Sequence, residues 1–266
     1  LLEDVERDFF VLADTKTGSG KGISPEEPCG IAVDIGTTTI AMQLVTLEDG
    51  RTADIYTAIN RQRAYGADVI SRIDASNHGK REELKESIRQ DLLKGFEQLT
   101  KGGSLKLSKI VIGANTTMVH LLMGYSCETL GVYPFKPVNI DTIQISYQEL
   151  FKDDSQDCPV VIYPGISTYV GGDIVAGLYA LEFAKREKPA VLIDLGTNGE
   201  MAIGCRDRIL TASTAAGPAF EGGNITCRTG SVPGAICGAV FQDGQMKVET
   251  INGARPSGIC GTGIID

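Results

Sequence analysis

The segment Val33-Asp34-Ile35-Gly36-Thr37-Thr38-Thr39 is the most informative part of the chain, because a β-branched run ends there in an acidic residue and a glycine–threonine turn. A similar segment, Ile193-Asp194-Leu195-Gly196-Thr197-Asn198-Gly199, follows 160 positions later, counted from Asp34 to Asp194. Each copy is followed by a second apolar run, a turn and a third run, which predicts a three-stranded meander in both places. A duplicated structural unit explains this repetition.

Such a turn suits the binding of a phosphate group. Glycine lets the backbone come close, the turn's N–H groups and threonine hydroxyls donate hydrogen bonds, and the carboxylate holds a metal ion or its water. One Asp-x-Gly-Thr turn also occurs in ordinary hairpins. Two copies on related strands predict that ATP phosphates are clamped with Mg²⁺ between Asp34 and Asp194, directly or through water. The expected phosphate-binding residues are Gly36, Thr37, Thr38 and Thr39 in the first copy, and Gly196, Thr197, Asn198 and Gly199 in the second.

A third glycine-rich segment lies near the end of the chain, at Ser257-Gly258-Ile259-Cys260-Gly261-Thr262-Gly263. A glycine turn at the start of a helix allows flat adenosine to lie against bare backbone. This function is expected of Gly258, Gly261, Thr262 and Gly263. Considered alone, the segment is also compatible with an ordinary loop that opens a helix.

These three segments, in this order, resemble the phosphate-1, phosphate-2 and adenosine motifs of the acetate and sugar kinase, Hsp70 and actin superfamily. A further segment, Gly171-Gly172-Asp173, looks like the helix start that supplies the catalytic aspartate in glycerol-kinase-like relatives. The resemblance makes Asp173 the expected general base or water-orienting group. The alternative is that Asp173 only caps a helix.

The superfamily resemblance implies an α/β fold of two ribonuclease-H-like lobes, each a mixed sheet flanked by helices, with the nucleotide in the cleft between them. We expect a linker over residues 1–28, lobe I over 29–126, a connection over 127–160 and lobe II over 161–266. The second lobe is expected to be incomplete at its C-terminus. Within lobe I, helices are predicted near 65–75 and 81–99, a strand at 109–113, and a helix entered through Asn115-Thr116-Thr117, a run of good N-cap residues.

Several further motifs narrow the resemblance to the C-terminal ATPase domain of the reductive activators of corrinoid proteins. They are Asn60-x-Gln62, Tyr65-Gly66-Ala67-Asp68-Val69-Ile70-Ser71-Arg72, Asn115-Thr116-Thr117-Met118, Pro134-Phe135, Gly196-Thr197-Asn198-Gly199-Glu200 and Ala216-Gly217-Pro218-Ala219-Phe220-Glu221-Gly222. The resemblance covers about residues 30–266. It implies ATP hydrolysis coupled to the reduction of Co(II) corrinoid to Co(I), with ATP and Mg²⁺ as cofactors. The implied partners are the corrinoid protein of a methyltransferase system and a low-potential electron donor, and a homodimer is left open.

Two departures from the family pattern limit what the resemblance transfers. Its members carry an iron–sulfur cluster in a cysteine-rich region, whereas the seven cysteines of this chain are scattered and form no C-x-x-C motif. We therefore expect the cluster only in sequence outside this chain. The segment Thr226-Cys227-Arg228-Thr229-Gly230 also differs from the Gly-Met-Arg-Ala expected there, which leaves its function open.

Composition excludes other classes of function. The 266 residues carry 25 Lys and Arg against 34 Asp and Glu, a net charge of −9, whereas nucleic-acid binding requires a basic face. No apolar run approaches the roughly 18 residues of a membrane-spanning helix, and the first residues are acidic where a signal peptide is basic. We expect a cytoplasmic protein with neither nucleic-acid nor membrane partners.

Three alternatives share parts of this pattern. A small-molecule kinase of the same superfamily would use the same phosphate turns, with Asp173 deprotonating an acceptor hydroxyl. A non-catalytic nucleotide-sensing module would bind ATP without turnover. Activators of acyl-CoA dehydratases also couple ATP to electron transfer, but they place cluster cysteines within the ATPase chain, and the cysteine spacing here gives them no support.

Overall fold

The computed structural model describes residues 23–24, 26–216, 226–230, 232–242 and 244–265. Most of the expected linker over 1–28, and all but the first residue of the motif at 216–222, therefore lie outside the described residues. Within the described ranges, no helix combines the length and the apolar composition needed to cross a membrane.

The first lobe is built on a six-stranded mixed sheet with the strand order β3-β2-β1-β4-β6-β5. β1, β4 and β6 run parallel to one another, while β2, β3 and β5 pair antiparallel with their neighbours. The first three strands form the meander that the sequence predicts. The strands are β1 Cys29–Ile35, β2 Thr39–Thr46, β3 Thr52–Ile59, β4 Leu107–Ala114, β5 Ile143–Ser146 and β6 Pro159–Ile162.

Helices complete this lobe. The predicted helices near 65–75 and 81–99 are α1 and α2, joined by a π-helical turn over Ser76–Lys80. The predicted strand at 109–113 is β4, and the helix predicted to follow it is α3, whose N-cap among the three candidates is Asn115, which accepts a hydrogen bond from Met118 N. Across both lobes, the α-helices of the described residues are α1 Val69–Ala75, α2 Arg81–Leu99, α3 Thr116–Met123, α4 Tyr147–Phe151, α5 Gly172–Ala180 and α6 Gly261–Ile265, of which α6 belongs to the second lobe.

The core of the first lobe lies between one face of the sheet and the helices α1 to α4. In β1, Ile31, Val33 and Ile35 are buried, and α2 contributes an apolar stripe that begins at Leu84 and ends at Leu99. Side chains alternate between the two faces of a strand. Asp34 therefore lies on the opposite face from Val33 and Ile35, where it reaches solvent.

The segment 127–160 requires a correction, because it is more than a connection. It contains β5 and α4 and leads into β6, and both strands extend the sheet of the first lobe. The sequence signal was weak because each strand has only four residues and prolines and an acidic loop surround them.

The second lobe repeats the meander in the described residues as an antiparallel sheet of three strands in the order β7-β8-β9. Its other described strands form a separate three-stranded sheet in the order β11-β10-β12, and α6 follows β12 after one residue. The strands are β7 Ala190–Leu195, β8 Asn198–Cys205, β9 Arg208–Ala215, β10 Ala235–Gln242, β11 Gln245–Thr250 and β12 Gly258–Ile259.

Candidate functional site

The first predicted phosphate turn joins β1 to β2. Gly36 N donates to Thr39 O at 2.9 Å, and a Cβ atom on Gly36 would lie only 2.7 Å from that oxygen. The tight turn therefore requires glycine at this position. Asp34 lies two residues before it, on the face of β1 that is turned away from the core.

The second predicted turn, between β7 and β8, has a similar form. Gly196 N donates to Asn198 O at 2.9 Å, and Asp194 precedes the turn on β7 as Asp34 does on β1. The two turns are in contact, since Thr38 Oγ1 lies 3.4 Å from Thr197 Oγ1. The structure thus brings together two segments that lie 159 residues apart in the sequence.

Asp173 lies in the first turn of α5. The N-cap of this helix is Gly171, and Asp173 Oδ1 accepts a hydrogen bond from Ile174 N at 2.8 Å. The alternative that Asp173 is itself the N-cap is therefore wrong. Gly171 is required for packing, because its Cβ would lie 2.5 Å from Ala114 O at the end of β4.

The packing of α5 also locates Asp173 relative to the first hairpin. Gly113 of β4 is the register partner of Asp34, and a Cβ on Gly113 would lie 3.8 Å from Asp173 Cα. The start of α5 therefore lies over the same face of the sheet that carries Asp34. α5 also contacts β7 and β8, so it packs against β4 of the first sheet and against the second hairpin.

Glu200 is a fourth acidic residue of the site, and sequence analysis gave it no function. It pairs directly with Asp194 across β7 and β8, and it is buried, with 9% of its surface exposed. Its Oε1 atom accepts a hydrogen bond from Ser213 Oγ at 3.5 Å. The signal was present, because a tight hairpin turn after Asp194 places the residue six positions later opposite it on the same face.

Burial raises the pKa values of all four carboxyl groups, and neighbouring aspartates add to the rise at Asp34, Asp173 and Glu200. Burial, followed by the charges of Asp173 and Asp194, raises the pKa of Asp34 to about 7. Burial and the charge of Asp194 raise the pKa of Asp173 to about 6, although backbone N–H groups oppose the rise. Burial and the same two aspartates raise the pKa of Glu200 to about 7, and burial raises the pKa of Asp194.

This crowding of acidic groups fits a cation bound with phosphate. Asp34 and Asp194 still reach water in the cleft, so solvent screening reduces the energy that their shifted pKa values represent. Among the described residues, no three acidic, histidine or cysteine side chains are arranged to hold a metal ion. Mg²⁺ commonly uses one or two carboxylates together with water and substrate phosphates, which suits this arrangement.

The segment that the sequence predicts to bind adenosine lies on the other sheet of the second lobe. Gly258 is in β12, beside β10, and Gly261, Thr262 and Gly263 form the start of α6. The preceding segment 226–230 runs along β12, with Thr229 N donating to Ile259 O at 2.9 Å. It also reaches the first hairpin, because a Cβ on Gly230 would lie 3.2 Å from Thr39 Oγ1.

The other predicted binding residues lie at or beside the two turns. Gly36, Thr37 and Thr38 form the first turn and Thr39 begins β2, while Gly196 and Thr197 form the second turn and Asn198 and Gly199 begin β8.

Comparison with known proteins identifies the family. The model of the RACo middle region matches residues 29–186, and the model of the C-terminal domain of RACo, the ASKHA domain, matches residues 188–266. The chain is similar to the corrinoid activation enzyme RamQ of Eubacterium limosum, at 34% identity over 242 residues, which cover 89% of this chain and 40% of RamQ.

Two further relatives support the same family assignment. The [Co(II) methylated amine-specific corrinoid protein] reductase of Methanosarcina barkeri is 29% identical over 220 residues, which cover 78% of this chain and 40% of the reductase. A solved structure of a reductive activator for corrinoid, iron-sulfur protein superimposes with a TM-score of 0.80 at 33% identity, covering 92% of this chain and 40% of the activator. The chain thus spans about 40% of the length of each relative. With two adjoining family models matched between residues 29 and 266, the chain belongs to the RACo family.

Proposed function

We propose that the protein binds Mg-ATP between its two hairpin turns and hydrolyses it to drive the reduction of a corrinoid protein from Co(II) to Co(I). The contact between Thr38 and Thr197 carries this proposal, because it joins two Asp-x-Gly-Thr turns at one point. The names of the relatives, a corrinoid activation enzyme and a Co(II) corrinoid protein reductase, support the choice of partner.

The two turns bind the phosphates in this proposal. Gly36 N and Gly196 N stay bonded within the turns, to Thr39 O and Asn198 O, so the phosphate donors are the other N–H groups and the threonine hydroxyls of the two turns. Asp34 and Asp194 hold Mg²⁺, mainly through water, and Glu200 fixes that hydration shell from the neighbouring strand. When bound, Mg²⁺ supplies positive charge that offsets both the carboxylates and the phosphates. Gly258, Gly261, Thr262 and Gly263 receive the adenosine.

Asp173 orients and deprotonates the attacking water. It lies at the start of α5, over the face that carries Asp34, and its pKa of about 6 suits a group that accepts a proton near neutral pH. Its carboxylate is held in place by the hydrogen bond from Ile174 N, which leaves one oxygen for the water.

Hydrolysis is coupled to electron transfer through the relative position of the two hairpins. α5 contacts both sheets, so loss of the γ-phosphate between the turns changes how the lobes meet and reshapes the surface that binds the corrinoid protein. The electrons come from a low-potential donor through an iron–sulfur cluster outside this chain. In this proposal the lobes divide after β6, because that strand still belongs to the first sheet.

The test is ATP-dependent corrinoid reduction by the full-length protein. A reduced electron donor, the corrinoid protein and Mg-ATP are mixed anaerobically, and Co(I) formation is followed by its absorbance while phosphate release is measured in parallel. Both rates are expected to fall together in Asp173→Asn, whereas Asp207→Asn, an exposed aspartate in the β8–β9 turn, leaves both unchanged. Equal Co(I) formation with and without Mg-ATP would contradict the proposal.

A further inference from the structure

We propose that Asn60, Arg72 and Asn115 are positioning residues that hold the first hairpin turn from behind and thereby aim its backbone N–H groups at the nucleotide phosphates. The proposal rests on the function proposed above and adds residues that do not touch the nucleotide. Asn60 directly follows β3, Arg72 lies in α1 and Asn115 directly follows β4. Each of them donates a hydrogen bond to Gly36 or Thr37.

Asn60 holds the first carbonyl of the turn. Its Nδ2 donates to Gly36 O at 3.0 Å, and the side chain is completely buried. The amide is fixed in place, because Asn60 Oδ1 accepts from Gln62 N at 3.0 Å. Its own backbone N–H donates to Thr38 O at 2.9 Å, so residue 60 contacts the turn at two points.

Arg72 holds the second carbonyl. Its Nη2 donates to Thr37 O at 2.6 Å and its Nε donates to Gly66 O at 2.9 Å, while Nη1 lies 3.5 Å from Met118 Sδ. Arg72 lies on α1, and its side chain is completely buried. Because the guanidinium group is planar and is held at three points, the position of the Thr37 carbonyl is fixed.

The direction of the N–H groups follows from the geometry of the peptide bond. In a planar trans peptide, the N–H points opposite to the C=O of the preceding residue. Since Asn60 and Arg72 hold the carbonyls of Gly36 and Thr37 toward the core, the N–H groups of Thr37 and Thr38 point the other way. Successive N–H groups directed to one side form a concavity that binds anions.

Asn115 fixes the side chain of the same turn. Its Nδ2 donates to Thr37 Oγ1 at 3.2 Å, while its Oδ1 accepts from Met118 N at 2.9 Å and so caps α3. One amide therefore connects the helix N-terminus to the turn. The three residues together hold one hydroxyl and two carbonyls, which leaves little freedom in the orientation of this turn.

Two variants of the full-length protein separate positioning from general stability. Arg72→Lys keeps the charge but loses the planar fork, and Asn115→Ser keeps a good N-cap while removing the donor to Thr37. Gln62→Leu is the matched control, because Gln62 is equally buried nearby and donates to Leu84 O rather than to the turn. Dissociation constants for Mg-ATP and AMP are measured by calorimetry, together with the melting temperature without nucleotide.

Both variants are expected to weaken Mg-ATP binding roughly 5- to 10-fold, the value of one well-placed hydrogen bond, with AMP affinity within about twofold of the parent. The control is expected to lose melting temperature without losing preference for ATP over AMP. Equal losses for ATP and AMP, or unchanged ATP binding, would overturn the proposal. If Arg72→Lys does not fold, Asn115→Ser decides the question. A parent protein that binds no Mg-ATP would overturn the proposed function as well.

Discussion

The two hairpins share a sequence pattern but differ in their surroundings. In β1, Val33 is 4% exposed and packs in a core that includes α2 and α3, whereas Ile193, at the corresponding position of β7, is 56% exposed. Val191 and Leu195 on β7 are also about half exposed. Buried apolar contacts determine the local stability of a segment, so within the described residues of this chain the first hairpin is the more extensively packed of the two.

This difference indicates that the two hairpins have different functions in the proposed cleft. The first turn is fixed by buried donors from Asn60 and Arg72 and offers a preformed site for phosphate. The second hairpin stands on a small antiparallel sheet, with α5 against it. We infer that the second hairpin is the part whose position responds to the state of the nucleotide.

The largest effect is expected from replacing the carboxylate of Asp173, at the start of the helix α5 that contacts both sheets. Asp173→Asn is expected to lower ATP hydrolysis by about 10²- to 10⁴-fold, the usual loss for a positioned proton acceptor. The unfolding free energy is expected to change by less than about 1 kcal/mol, because an asparagine oxygen still accepts the hydrogen bond from Ile174 N and the variant loses a carboxylate that burial disfavours.

Phosphate release and thermal melting, measured on the same preparation, check this prediction. A variant that melts early but hydrolyses ATP at the parent rate would show that Asp173 only stabilises the start of α5.

Truncating matched positions in the two hairpins tests the difference in packing. Val33→Ala is expected to lower the unfolding free energy by roughly 2 kcal/mol, because it leaves a cavity in the core. Ile193→Ala is expected to change it by less than about 0.5 kcal/mol, as for other exposed positions. Denaturant titration of both variants measures the two values. Equal costs would mean that β7 is packed as tightly as β1.

The acidic cluster predicts a smaller, pH-dependent effect. Because the pKa of Glu200 is raised from 4.5 to about 7 in the folded protein, its contribution to stability is complete below pH 4.5 and is lost as the pH rises through 7. Glu200→Gln removes the cost of ionisation. Without metal or nucleotide, the variant is expected to exceed the parent in unfolding free energy by about 1–2 kcal/mol at pH 8 and to match it near pH 4.5.

Melting curves in a metal chelator between pH 4.5 and 8 provide the measurement, and Glu97→Gln on the exposed face of α2 is the control. A constant difference between Glu200→Gln and the parent at every pH would show that the ionisation of Glu200 does not affect stability.

Local patterns allowed much of the fold to be predicted. Three predictions depend only on neighbours within a few positions. They are the alternation of buried and exposed residues in β1 and β2, the apolar stripe of α2 from Leu84 to Leu99, and the helix start at Asn115. The two Asp-x-Gly-Thr turns were predicted for the same reason, because each is complete within seven residues.

The features that sequence analysis missed depend on distant parts of the chain. β5 and β6 are short; β6 joins the first sheet by pairing with β4, and β5 pairs with β6 to form the edge. The contact of Arg72 with Thr37 O spans 35 positions and requires α1 to pack behind the turn. Glu200 was the exception, since the register of the second hairpin alone places it opposite Asp194.

The clamp between the two hairpins is tested most directly by Mg-dependent ATP binding to the full-length protein, measured by calorimetry for the parent, Asp34→Asn and Asp194→Asn. Both aspartates are exposed and lie outside the core, so both variants are expected to fold normally and, if the clamp is correct, to bind Mg-ATP more weakly than the parent. The loss should disappear when Mg²⁺ is omitted, because each carboxylate acts through the metal. Unchanged Mg-ATP affinity in both variants would contradict the two-hairpin clamp.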